Sequence, residues 1–202
     1  MKLPKIRELL EAIKSLLTKP YTSKFPYVPH EPYPSFRGQP KFNPDKCVGC
    51  LACEQVCPAE AISHRDIVDD GIPRRIMIHY TDTCIFCGSC EANCIADNEG
   101  IKLTKEWELS FFDRSQAYET IEKELQLCEI CGVVIACKDH LKWIAEKIGE
   151  LSFSSPTLYQ SYLKGLNIID ENILKAYKDK GRSDRIKILC ARCRRETTLT
   201  TK

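Results

Sequence analysis

Two stretches of this chain carry the same cysteine spacing, CxxCxxCxxxC: Cys47, Cys50, Cys53 and Cys57, then Cys84, Cys87, Cys90 and Cys94. Two-residue spacers turn the backbone so tightly that three thiolates of each run can converge on one inorganic centre. Each run also leads into an isoleucine, Ile62 or Ile101, that can begin a strand. A repeat of this kind predicts a pseudo-twofold domain. The pattern is too specific for disulfides or zinc, and it predicts two [4Fe-4S] clusters.

Three cysteines of a run leave one corner of a cubane open. In two-cluster ferredoxins the fourth cysteine of each run ligates the other cluster. On that rule Cys47, Cys50, Cys53 and Cys94 form the first site, and Cys84, Cys87, Cys90 and Cys57 the second. Cys57 is followed by the expected proline, Pro58, whereas Cys94 is followed by Ile95, and its path to the next isoleucine is two residues longer. That departure alters a turn without removing a thiolate. Clusters tied this closely suit one-electron hopping, and nothing in the chain reads as a substrate pocket, a nucleotide loop or a set of catalytic residues.

Composition narrows the class. With 13 cysteines an odd thiol is left over, which also argues for metal rather than disulfides. A net charge of +2 supplies no basic footprint for nucleic acid, and 43% hydrophobic residues suffice for a modest core. No window approaches the ~20 apolar residues of a membrane span, and no cleavable leader is evident. The expectation is an intracellular protein that does not cross the membrane.

Four segments follow in order. Residues 1–19 read as an amphipathic helix, with Leu3, Ile6, Leu9, Leu10, Ile13, Leu16 and Leu17 at steps of three and four. Such a helix suits docking on a membrane subunit or at the membrane surface. Residues 20–46 form a proline-rich extended arm, and Tyr21, Phe25, Tyr27, Tyr33, Phe36 and Phe42 imply that it lies along another surface. Residues 47–106 are the two-cluster ferredoxin domain. Within it, Ile62 to Val68 and Ile72 to Tyr80 flank Asp69-Asp70-Gly71 as a hairpin, with Pro73 delaying the second strand. Residues 107–202 form a mostly helical extension, with Glu119 to Leu127 and Leu141 to Ile148 as its clearer helical segments. The fold class is α+β.

The extension carries the other five cysteines. Cys128 and Cys131 precede Gly132 in a CxxCG knuckle, and Cys190 and Cys193 form a second CxxC. Four thiolates in two pairs suit a closed tetrahedral zinc site that staples the extension. Mononuclear iron, a third cluster or unmetallated thiols stay open. Cys137 reads as a buried spare thiol.

Beyond the cluster motif, Ser35-Phe36-Arg37-Gly38, Cys47-Val48-Gly49-Cys50 and Cys84-Ile85-Phe86-Cys87-Gly88 resemble the eight-iron subunit shared by respiratory complex I and the group 4 membrane-bound nickel-iron hydrogenases, including formate hydrogenlyase. The likeness covers the first half of the chain. Ile101 to Leu109 and the cysteine-bearing tail are similar to the hydrogenase members. The resemblance implies a non-catalytic subunit of an oxidoreductase complex, peripheral on the cytoplasmic side of the cell membrane. It would pass electrons from an upstream donor subunit or ferredoxin to the hydrogenase small subunit, among membrane subunits. A complex I-like quinone oxidoreductase subunit and a free dicluster ferredoxin are the alternatives.

Overall fold

The computed structural model describes residues 5–19, 22, 24–69, 71–166 and 187–199. Lys2, Leu3 and Pro4 of the expected helix, Pro20 and Tyr21 of the arm, and Asp70 of the hairpin turn lie outside the described residues. Two compact units divide the chain, residues 1–36 and 37–202.

The first unit holds helix α1 (Ile6–Leu17). The Lys5 N–H donates to the Glu8 carboxylate at 3.1 Å, satisfying an orphan donor, and the Thr18 N–H closes the other end on the Lys14 carbonyl at 2.9 Å. Ile6, Leu9, Leu10, Ile13, Leu16 and Leu17 are all exposed.

In the second unit, strand β1 (Pro40–Phe42) leads to helix α2 (Ala52–Gln55), strands β2 (Ile62–Ile67) and β3 (Arg74–Tyr80), helix α3 (Ser89–Ala92) and strand β4 (Ile101–Leu103). Strands β5 (Tyr118–Leu127) and β6 (Val134–Cys137) follow, then helices α4 (Lys138–Ile148), α5 (Pro156–Gly165) and α6 (Ala191–Leu199). β1 and β4 pair antiparallel with Phe42 opposite Ile101, and the other strands form an antiparallel sheet in the order β2-β3-β5-β6. The hairpin pairs Ile62 with His79, and its second strand begins at Arg74, directly after Pro73.

Tyr118–Leu127 is a strand, which corrects the helix expected over Glu119 to Leu127. Ile121 and Leu125 are buried four residues apart, a spacing that suits either period. The position between them on the inward face is Lys123, whose charge hid the alternation. Its ammonium is satisfied by the Pro44 carbonyl at 2.6 Å and by Asp139 at 2.9 Å. The extension therefore contributes two strands to the main sheet, with helix following at Lys138–Ile148. Phe42, Cys47, Cys53, Ile62, Met77, Cys90, Ile101 and Ile121 form the main core, while Cys128, Leu189 and Cys193 form a smaller one.

Candidate functional site

The two cysteine runs fold into loops with matching dihedrals. Left-handed residues stand two and four positions after the first cysteine of each: Gly49 (φ 71°) and Leu51 (φ 67°), then Phe86 (φ 53°) and Gly88 (φ 83°). Glycine changes place between the repeats while the backbone shape is kept, so one non-glycine residue per loop accepts an uncommon conformation. A single helical turn, α2 or α3, then carries the third cysteine inward.

The loops close two cavities of similar size, about 330 and 290 Å³ counting their mouths. Cys47, Cys50, Cys53 and Cys94 line the smaller; Cys57, Cys84, Cys87 and Cys90 line the larger. Three thiols of each run thus meet the last thiol of the other. The walls are apolar and repeat in pairs two residues apart. β1 sends Phe42 to the smaller cavity and Pro40 to the larger, and β3 sends Met77 and His79 likewise.

Burial disfavours the charged form of Cys47, Cys50, Cys53, Cys84 and Cys90. Burial pushes Cys53 up to about 12, helped by Cys47 and Cys50, and burial pushes Cys90 up to about 11. Cys87 moves the other way, lowered first by the Ser89 hydroxyl 3.4 Å away and then by backbone N–H. Thiolates gathered here require cations to neutralise them, which iron would provide. His79 points to the same conclusion: it is fully buried on the larger cavity, and neither ring nitrogen has a hydrogen-bond partner among the described residues. Donor set, enclosed space and orphaned imidazole all fit an iron–sulfur group.

Behind the first loop stands a polar buttress that sequence reasoning did not find. The Arg75 guanidinium donates to the Gly49 carbonyl at 3.0 Å, and bidentately to Asp66 at 2.7 and 2.8 Å. Cys137, fully buried, donates its thiol to the same carbonyl at 3.4 Å. The spare thiol of the extension is therefore packed against the first cysteine loop. Burial pushes its pKa up to about 11, which keeps it protonated as a donor.

Cys128, Cys131, Cys190 and Cys193 form a second constellation, with all four sulfurs within 4.8 Å of one another. Cys131 and Cys190 sulfurs are 3.7 Å apart, close to the ~3.8 Å edge of a tetrahedron with 2.3 Å metal–sulfur arms. Burial raises Cys128, but the N–H groups of Cys131, Cys190 and Ile130 outweigh it and bring it down to about 6. The two knuckles are held in register by Glu129, whose N–H donates to the Ile188 carbonyl and whose carboxylate accepts from the Ile188 N–H, each at 3.0 Å. The donor set fits one metal ion.

Residues 40–63 match the 4Fe-4S binding domain family. The chain is 32% identical over 132 residues to NADH-quinone oxidoreductase subunit I 2 of Geobacter metallireducens, covering 62% of this chain and 99% of that one. It is 30% identical over 131 residues to formate hydrogenlyase subunit 6 of Escherichia coli, covering 64% of this chain and 70% of that one. NAD(P)H-quinone oxidoreductase subunit I of Gloeobacter violaceus is 32% identical, but the match covers only 48% of this chain and 47% of that one. A solved structure of the membrane-bound sulfane sulfur reductase, an archaeal respiratory membrane complex, includes a chain 29% identical, with a TM-score of 0.40 over 58% of this chain and 61% of that one.

Proposed function

The chain belongs to the family of 4Fe-4S subunits that includes NADH-quinone oxidoreductase subunit I and formate hydrogenlyase subunit 6, and on that premise we propose that it relays single electrons through two [4Fe-4S] clusters to the small subunit of a membrane-bound nickel-iron hydrogenase. Cys47, Cys50, Cys53 and Cys94 would hold one cluster, and Cys57, Cys84, Cys87 and Cys90 the other. A [4Fe-4S] cluster, when bound, supplies a reversible one-electron carrier. The chain's own residues bind, space and insulate: the thiols ligate, while Phe42, Met77, Pro40 and Ile62 keep water from the cavities. The observation that supports this reading best is the exchange of Cys57 and Cys94 between the two cavity walls. The chain would have no catalysis of its own.

Partners are argued from chemistry. Among the described residues no helix is long and apolar enough to cross a membrane. The exposed apolar face of α1 would dock on a membrane subunit, on the cytoplasmic side, and an upstream subunit or ferredoxin would donate electrons. The test is anaerobic purification of the native complex through a tag on this chain. Nickel, membrane subunits and hydrogen evolution should copurify; a partnerless, cluster-loaded monomer would refute the proposal. A quinone-linked complex is the second reading, favoured by the match over 99% of the Geobacter relative. Quinone reduction without nickel would select it.

The four tail thiols would hold one zinc ion, closing the extension without an open coordination position. Their sulfurs lie closer than the corners of a cubane permit, which favours a single ion over a third cluster. A Cys128→Ser, Cys193→Ser variant should lose one zinc per chain and keep its cluster iron. Unchanged zinc content would remove the site, and loss of one iron instead would assign mononuclear iron.

A further inference from the structure

Strand β3 turns Arg75, Met77 and His79 to the interior at successive alternate positions. Met77 lines the cavity of Cys47, Cys50, Cys53 and Cys94; His79, about 6.8 Å further along the strand, lines that of Cys57, Cys84, Cys87 and Cys90. The repeat that matches Cys47 with Cys84 matches Phe42 with His79 and Pro40 with Met77, so the cavity of Cys47 meets a phenyl ring where that of Cys84 meets an imidazole. Of the other paired wall positions, Met77 with Pro40, Val48 with Ile85 and Ile101 with Ile62 are apolar on both sides, while Ala52 is matched by Ser89.

A histidine with 0% exposure and two unpartnered ring nitrogens is an unpaid desolvation cost unless something not yet named accepts its proton. Burial holds His79 below the ordinary histidine range, so the ring is neutral and carries one N–H donor. The cavity it lines is otherwise walled by apolar side chains, Ser89 and the four thiols. The Ser89 hydroxyl already accepts from the Cys87 thiol at 3.4 Å, so sulfur is the acceptor this wall leaves open.

We propose that His79 donates an N–H···S hydrogen bond to the iron–sulfur cluster held by Cys57, Cys84, Cys87 and Cys90, and that Phe42, at the equivalent position, denies the other cluster this bond. The proposal rests on the two-cluster reading above. Reduction adds negative charge that spreads onto the cluster sulfurs, and a hydrogen bond to sulfur strengthens as that charge grows. His79 therefore raises the potential of its own cluster and makes the two steps of the relay unequal. It is a positioning and tuning residue, not a ligand.

The test begins with the wild-type protein, purified anaerobically and labelled with ¹⁵N-histidine in D₂O. Iron content near about eight per chain and two reduced-cluster EPR signals establish the underlying reading first; fewer clusters take down that reading and the proposal with it. Electron–nuclear resonance of the reduced protein should then show one histidine nitrogen and one exchangeable deuteron coupled to one cluster. Absence of the nitrogen coupling overturns the proposal with no mutation needed. In redox titrations, His79→Leu should make reduction of that cluster at least tenfold less favourable, ~59 mV for one electron. The other cluster and the iron content should stay unchanged, and His79→Asn, which keeps an N–H, should recover part of the shift. Unmoved midpoints in a fully loaded His79→Leu protein would also overturn it.

Discussion

The carbonyl oxygen of Gly49 receives a guanidinium N–H from Arg75 and a thiol from Cys137. A side chain at Gly49 would place Cβ 2.6 Å from the Cys137 sulfur, in a backbone conformation of φ 71° that disfavours L residues. Gly49→Ala should cost roughly 1–3 kcal/mol. Its specific signature would be loss of iron from the cluster of Cys47, Cys50, Cys53 and Cys94, with the other EPR signal retained. Asp66 supports the same buttress, and hydrogen bonds from Arg75 hold its carboxyl below the usual carboxylate range. A depressed folded-state pKa contributes stability that is fully present above the unfolded value of about 3.9 and is lost as pH falls through the folded one. Asp66→Asn should therefore destabilise by about 1–3 kcal/mol near neutrality. The gap to wild type should shrink as pH drops below about 4, measured as paired thermal unfolding midpoints.

Strand β1 is short, yet its partner β4 ties the approach to the first loop to the exit from the second. Gly38 precedes it where the backbone crosses closest: an added Cβ would sit 2.2 Å from the Glu106 carbonyl oxygen and 2.7 Å from that of Thr104. Gly38→Ala must push the pair apart, at a cost of about 1–3 kcal/mol. Because Pro40 and Phe42 wall the two cavities, both clusters should bleach faster in air or chelator, unlike the one-sided loss expected at Gly49. β5 shows how an element is misread. Its inward face runs Glu119, Ile121, Lys123, Leu125, and two of those four are ionisable: Lys123 is satisfied only by the remote Pro44 and Asp139, and Glu119 leaves Oε2 buried without a hydrogen bond among the described residues. The hairpin β2–β3 was legible to within two residues at its inner ends, since Asp69, Gly71 and Pro73 act on their own backbone.

Across the whole chain, α1 presents six exposed aliphatic residues in one unit, and the two cysteine runs belong to the other. Docking and electron carriage should therefore separate. Leu10→Asp with Ile13→Asp should weaken membrane or subunit association by about 100-fold or more, at roughly 1.5–3 kcal/mol per lost apolar contact. Iron content and EPR spectra should be unchanged, and fractionation of native extracts reads the first effect. The cysteine runs could be read without coordinates because ligands a few residues apart share one backbone loop, so spacing alone dictates convergence. The four tail cysteines were legible as pairs for the same reason, while their approach to within 4.8 Å depended on chain folded between them. Arg75 and His79 left no mark in the sequence, and Cys137 was legible as a buried spare thiol but not as a donor to the first loop. Arg75 and Cys137 meet Gly49 from 26 and 88 residues away, and His79 reads as one polar residue in a strand until its neighbours are known. Short-range spacing determines what can bind; long-range strand pairing determines which polar group stands beside it.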